Sequence, residues 1–166
     1  MTTTHDVGGS ASTAGTSRKL GPFEVFPIGM GVMPLSQGAN VIPDEEQAIA
    51  TVHAALEAGV TLFDTADVYA PSWDQMGHNE RLLAKAMRAY GGRPDGVVIA
   101  TKGGITRHEG DEWGRNGSLE YLTGAVESSL LALGVDVIDV YQWHRPDRWI
   151  VYGLSLIHIS EPTRRS

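Results

Sequence analysis

Four polar side chains in this sequence have the types and spacing to move a proton onto an oxygen atom. "FDTADVY" carries Asp64 and Tyr69, with Asp67 between them, "ATKGG" carries Lys102, and "YQWH" carries His144, so the four are Asp64, Tyr69, Lys102 and His144. A phenol, with an ordinary pKa near ~10, is a weak proton donor at neutral pH. An ammonium such as Lys102 beside it favours the phenolate that remains once the proton has gone. In a closed pocket that ammonium needs a carboxylate, which Asp64 supplies. His144 can orient or polarise a carbonyl oxygen by donating from a ring nitrogen. The set suits protonation of an oxygen as negative charge develops on it, which is what carbonyl reduction by hydride requires.

Taken singly, each residue has an ordinary structural explanation. An Asp after a strand is most often a cap or turn residue, a Lys is usually solvated, and a His is usually half-buried and satisfied. The set gains its meaning from the elements that carry it. "KLGPFEVFPIGMGVMPLS" reads as one or two short strands. "IPDEEQAIATVHAALEAG" reads as a helix capped by Asp44, with Ile49, Val52, His53 and Leu56 on one face and Gly59 at its end. "VTLFD" is a short buried strand, and "GHNERLLAKAMRAYGG" a helix with Leu82, Leu83, Ala86, Met87 and Tyr90 on its apolar side. "GVVIATK" is the next strand, and "GSLEYLTGAVESSLLALG" a helix that Ser118 can cap. "VDVIDVYQWH" is the last strand. The order is β-α-β-α-β-α-β, with crossovers long enough for parallel pairing.

Such units open either a doubly wound sheet or a (β/α)8 barrel, and in both the functional residues lie at the carboxyl ends of the strands. A dinucleotide-binding turn needs G-x-G-x-x-G between the first strand and helix. The turn present, "GMGVMPLSQGAN", is too long and lacks the third glycine. The barrel is therefore expected, as about four of its eight βα units, since a whole one takes ~250 residues. Asp64, Tyr69, Lys102 and His144 fall at successive strand mouths, where a barrel would converge them on one pocket.

At these residues the sequence resembles the aldo-keto reductase family. An Asp and a Tyr five residues apart follow the second strand, a Lys ends the third and a His ends the fourth. "PIGMGVMPLS", "GHNERLLAKAM" and "RPD" add to the likeness, which runs from about Lys19 to Asp147. "FEVFPIGMG" and "YQWHRPD" look most like the bacterial aryl-alcohol dehydrogenase and pyridoxal reductase branch. The resemblance implies a barrel opening with a short β-hairpin and an NADPH-dependent reductase of aldehydes or ketones. It makes Tyr69 the proton donor, Lys102 and Asp64 its tuners, and His144 the carbonyl-orienting residue. Gly31, Val32 and Met33 would lie beside the nicotinamide, and Asp64 would also contact the ribose. Ala84 stands where the family commonly has Gly, a packing change. Trp73 and Trp113 either shape the substrate pocket or pack their loops.

Two other readings compete: a reductase-fold module that binds NADPH without catalysis, and another barrel enzyme such as a lyase or hydrolase. The intact set of four argues against the first. The second predicts paired metal-binding histidines or a second acid at the strand ends, and the sequence offers neither. His5, His78 and His108 lack metal-ligand spacing. His53 is expected on the inner edge of its helix, and "DEEQ" is a helix start whose acids suit the dipole.

The two ends of the chain read differently from its middle. Residues 1–16 are Ser/Thr/Gly-rich, without the charged and apolar regions of a secretory signal, and are expected to be a disordered leader. "LSLIHISEPTRRS" resembles a translated sequencing adapter, so 148–166 are expected to be non-native and 17–147 the N-terminal half of a barrel. In the family the groups that grip the cofactor's phosphates and adenosine follow the later strands. This polypeptide is therefore expected to be inactive, and to self-associate through its open sheet edges.

Composition narrows the partners. The 166 residues carry a formal charge of −7, and −9 without 148–166, which hold three Arg and one Glu. Acidity without a basic stripe disfavours nucleic acid and anionic membrane as partners. There are no cysteines, and no apolar run approaches the ~18–20 residues of a membrane span. A cytoplasmic protein acting on a small carbonyl compound is expected.

Overall fold

The structure, a computed structural model, describes residues 17–38 and 41–146. The expected leader (1–16) and the expected non-native tail (148–166) lie outside the described residues.

The chain opens with a hairpin, Arg18–Leu20 (β1) paired antiparallel with Phe23–Val25 (β2). Four short strands then form one parallel sheet: Met30–Gly31 (β3), Leu62–Asp64 (β4), Val98–Gly103 (β5) and, last in the chain, Val140–Trp143 (β8). Their spatial order is β3-β4-β5-β8, so each strand lies beside the next of the four, as in a section of a singly wound barrel. Helices Glu45–Glu57 (α1), His78–Ala89 (α2) and Leu119–Leu133 (α3) make the crossovers.

The helix boundaries follow from identifiable residues. Asp44 Oδ1 accepts from the Gln47 amide at 2.8 Å, and Ser118 Oγ accepts from the Tyr121 amide at 3.2 Å. Gly134 closes α3 at φ 67°, where a side chain would be strained. Glycine also starts α2: Gly77, at φ 78°, occupies its N-cap, so this helix begins without a side-chain cap.

The core lies between the sheet and α1 and α2. Phe63 and Ile99 from the strands pack with Val52, Leu83 and Met87 from the helices. Phe63 is fully buried, whereas its neighbours Leu62 and Asp64, on the other face, are half-buried. His53 behaves as a structural histidine: Nε2 lies 2.9 Å from the Ala86 carbonyl, and its ring meets Tyr90 edge-on at 5.1 Å.

One element was not expected. The stretch after β5 reads as a loop, yet Ile105–His108 (β6) and Glu112–Arg115 (β7) form a second antiparallel hairpin. Its turn depends on left-handed backbone at Gly110 and Asp111. Four-residue strands made largely of Thr, Arg, His, Glu and Gly carry almost no alternating apolar signal.

Candidate active site

The parallel register sets the site. Asp64 pairs with Ala100, and Lys102, two residues further along β5, pairs with Gln142 on β8. Lys102 therefore projects at the carboxyl end of the sheet beside Asp64. Tyr69 hangs from the loop between β4 and α2. His144 follows β8 directly, its amide donating to the Gly103 carbonyl at 2.8 Å.

These four side chains meet. Lys102 Nζ donates to Asp64 Oδ2 at 2.6 Å, to the Thr65 carbonyl at 2.8 Å and to Tyr69 Oη at 3.4 Å. The ammonium lies 5.1 Å from the Tyr69 ring centroid. The rings of Tyr69 and His144 meet edge to face, with centroids 5.6 Å apart and planes at 90°. The remaining carboxylate oxygen, Asp64 Oδ1, accepts from Gln142 Nε2 at 3.3 Å. Gln142 was not anticipated, although the two-residue period of a strand places it on the same face as His144.

The groups expected near a cofactor line the adjacent strand end. Gly31 pairs with Asp64, and the Val32 amide donates to the Asp64 carbonyl at 2.9 Å. Val32 is buried, while Gly31 and Met33 are exposed. A buried amide ties this corner together. Asn79, at the start of α2, donates to the Val32 carbonyl at 2.8 Å and to Ser36 Oγ at 2.7 Å, and accepts from Thr65 Oγ1 at 2.6 Å. Beside it Glu80, also buried, accepts from Thr101 Oγ1 at 2.6 Å. Asn79 and Glu80 are support residues that the sequence reading missed. Helical spacing to Leu83 and Met87 is the signal that would have found them.

Burial dominates the electrostatics. It pushes His144 down from 6.5 to about 4, helped by the positive charges of Lys102 and Arg145, so the imidazole is neutral at physiological pH. Its Nδ1 is buried and has no partner among the described residues. Asp67 moves the other way. Burial, reinforced by the nearby Glu80 carboxylate, raises it from 3.8 to about 7. Neither of its carboxylate oxygens has a hydrogen-bond partner among the described residues.

Asp67 thus makes stability depend on pH. Between 3.8 and about 7 the folded state holds a proton that the unfolded state has lost, so stability falls as pH rises through that window. Asp67→Asn removes the ionisation. The variant is expected to be more stable than the parent by roughly 2 kcal/mol or more at about pH 8, and within ~0.5 kcal/mol of it at about pH 4, near the unfolded-state value. Denaturant unfolding at the two pH values measures this. A difference independent of pH would remove Asp67 as the cause.

Asp64, Tyr69, Lys102 and His144 are one hydrogen-bonded and packed group at the carboxyl ends of adjacent parallel strands, as the sequence anticipates. The model of the aldo/keto reductase family matches residues 27–161. The chain belongs to the aldo/keto reductase family. The match runs beyond the described residues, into the stretch read from sequence as non-native.

Aldo/keto reductase relatives fit the same picture. The 6-dehydroglucose reductase of Novosphingobium aromaticivorans is 38% identical over 133 residues, which is 78% of this chain and 41% of that protein. The holo form of an aldo-keto reductase from Bacillus halodurans superposes with a TM-score of 0.63 at 36% identity, covering 79% of this chain and 40% of that one. The glycerol dehydrogenase of Gluconobacter oxydans gives 0.62 at 29% identity, over 76% and 37%. The chain thus spans about two fifths of the length of the curated relative, and its sheet is a partial, N-terminal portion of the family's barrel. Among the described residues no helix is long and apolar enough to cross a membrane, and no group of three or more His, Asp or Glu is placed to hold a metal ion.

Proposed function

We propose that residues 17–147 are the N-terminal half of an NADPH-dependent reductase that converts aldehydes or ketones to alcohols, and that the remaining barrel units are required for turnover. One observation carries the reading: Lys102 Nζ bonds Asp64 and Tyr69 Oη at once, while His144 stands against the Tyr69 ring. The named activities of two relatives, a 6-dehydroglucose reductase and a glycerol dehydrogenase, support it, because both interconvert a carbonyl and an alcohol.

The strand ends suit the nicotinamide and ribose end of the cofactor. A Cβ built at Gly31 meets nothing within 4 Å, so the backbone there borders open space beside Asp64. Met33 and the Asp64 carboxylate are each more than a third exposed, which leaves them available to the nicotinamide and the ribose in this reading. Reduced nicotinamide held by these residues would supply the hydride for the carbonyl carbon.

The chain's own residues then handle the oxygen. Tyr69 Oη gives its proton to the oxygen as charge builds on it, and Lys102 stabilises the phenolate left behind. Asp64 holds the ammonium from the far side, with Gln142 fixing its second oxygen. A neutral His144 keeps one ring N–H to donate to the same carbonyl oxygen. With a hydride delivered to the carbon, the oxygen would gain the Tyr69 proton, and solvent would reprotonate the phenolate. Small carbonyl compounds are the substrates in this reading, the location is cytoplasmic, and neither nucleic acid nor membrane is a partner.

The test compares this 166-residue chain with the product of the locus read on past the Asp147 codon, following NADPH and NADH oxidation with aromatic aldehydes. The longer product is expected to turn over with a preference for NADPH, and the present chain to show no measurable activity. Robust turnover by a monomer of the present chain would overturn the need for the missing units. An inert complete product would overturn the reductase reading. The extended sequence also decides whether 148–166 is native.

A further inference from the structure

The second hairpin, β6–β7, has no part in the proton chemistry above, and its placement is specific. Gly104 leads into it at φ 119°, and a Cβ there would lie 2.7 Å from Trp143 Cδ1 and 3.4 Å from the His144 carbonyl oxygen. The Asn116 amide donates to the Gly104 carbonyl at 2.9 Å and closes the base of the hairpin. The hairpin is therefore packed against the end of β8, beside His144. It is also attached through Arg107, buried, with Nε on Asp111 at 2.9 Å and Nη1 on the Ala70 carbonyl at 2.7 Å. Through Ala70 it grips the residue that follows Tyr69.

Arg107 also fixes an aromatic wall. Its guanidinium lies 4.8 Å from the ring centroid of Trp113, whose side chain is otherwise half exposed. A tryptophan held on one face by an immobilised guanidinium is a preorganised platform, and it needs little ordering when a ligand arrives.

That wall borders a cavity of about 450 Å3 lined by Ile105, Trp113, Gly114, Arg115 and Arg145. Among the described residues two arginines line it, and no acid does. Neither Arg115 nor Arg145 takes part in an ion pair among the described residues. In a chain of formal charge −7, two cations on one concavity with no carboxylate among the described lining residues are a notable charge. Guanidinium groups bind carboxylate and phosphate through paired, charge-assisted hydrogen bonds. Arg145 directly follows His144, and its charge is felt at that imidazole, so one wall of the cavity is formed by the residue next to the site.

We propose that this cavity receives an anionic group, a carboxylate or a phosphate, carried by a planar carbonyl substrate whose ring lies on Trp113. The assignment rests on the reductase reading for the word substrate, and its test measures binding alone, so the two can fail separately. Ile105 supplies the apolar floor, and the two guanidinium groups supply the charge.

The experiment titrates the 166-residue chain with acetophenone, para-acetylbenzoate and para-acetylphenyl phosphate at physiological ionic strength, following tryptophan fluorescence and amide NMR shifts. Ketones are used because they do not condense readily with lysines. At least one anionic ketone is expected to bind about 10-fold more tightly than acetophenone, and R115Q/R145Q to bring the ratio within about threefold. The stronger of the two anions tells carboxylate from phosphate recognition. Both arginines are exposed, so the double variant retains its fold, and circular dichroism checks this. Equal binding of all three ketones, or a preference that survives the double substitution, overturns the proposal. That outcome leaves the reductase reading to its own assay.

Discussion

Replacing Tyr69 with Phe is expected to lower kcat/KM for carbonyl reduction by the complete barrel about a thousandfold, or ~4 kcal/mol of transition-state stabilisation. The substitution removes one hydroxyl and little else. Tyr69 Oη has a single hydrogen-bond partner among the described residues, Lys102 Nζ at 3.4 Å, and the ring keeps its edge-to-face contact with His144. Stability should therefore stay within ~1 kcal/mol of the parent, and NADPH affinity, read from cofactor fluorescence, should be unchanged. Loss of turnover with retained binding is the mark of a group that acts in the transition state. If Tyr69→Phe keeps more than about a third of the parent kcat/KM, Tyr69 is not the proton donor.

The elements that carry the site were legible because their ends are chemically marked. Asp44 and Ser118 cap α1 and α3 through the hydrogen bonds their side chains offer, and Gly134 ends α3 in a conformation that suits glycine. The strands that carry Asp64, Lys102 and His144 are short, but each has at or beside its carboxyl end a polar residue that a buried strand has no other reason to hold. Order along the chain then gave order in the sheet, since singly wound strands follow one another in space.

What stayed hidden lacked a local signal, or had one that pointed elsewhere. The β6–β7 hairpin is held by Arg107 reaching back to Ala70, a contact 37 residues distant in sequence. Asn79 and Glu80 look like the polar start of a surface helix, and "HNE" invites no burial. They are nonetheless buried, because the N-terminal turn of α2 sits under the strand ends, where the Val32 carbonyl, Thr65 and Thr101 need partners. Asp67 illustrates the opposite limit. It lies between Asp64 and Tyr69 and looks like a fifth member of the site, yet its carboxyl is buried near Glu80 and makes no hydrogen bond to the Lys102 ammonium.

Lys102→Met separates the structural and chemical uses of the ammonium. Nζ serves three acceptors at once: Asp64 Oδ2, the Thr65 carbonyl and Tyr69 Oη. Methionine fills the same volume and satisfies none of them. Breaking a buried pair costs about 3–5 kcal/mol, but the Asp64 side chain is 37% exposed, so water will solvate it in part. A destabilisation of roughly 1–3 kcal/mol is expected. Turnover by the complete barrel should fall about 100- to 1,000-fold, since the phenolate then forms without a neighbouring cation. Adding Asp64→Asn removes the unpaired carboxylate. The double variant should regain most of the lost stability while turnover stays at the level of Lys102→Met. Recovery of both together would mean that Lys102 serves only to neutralise Asp64, and that the proton leaves Tyr69 without its help.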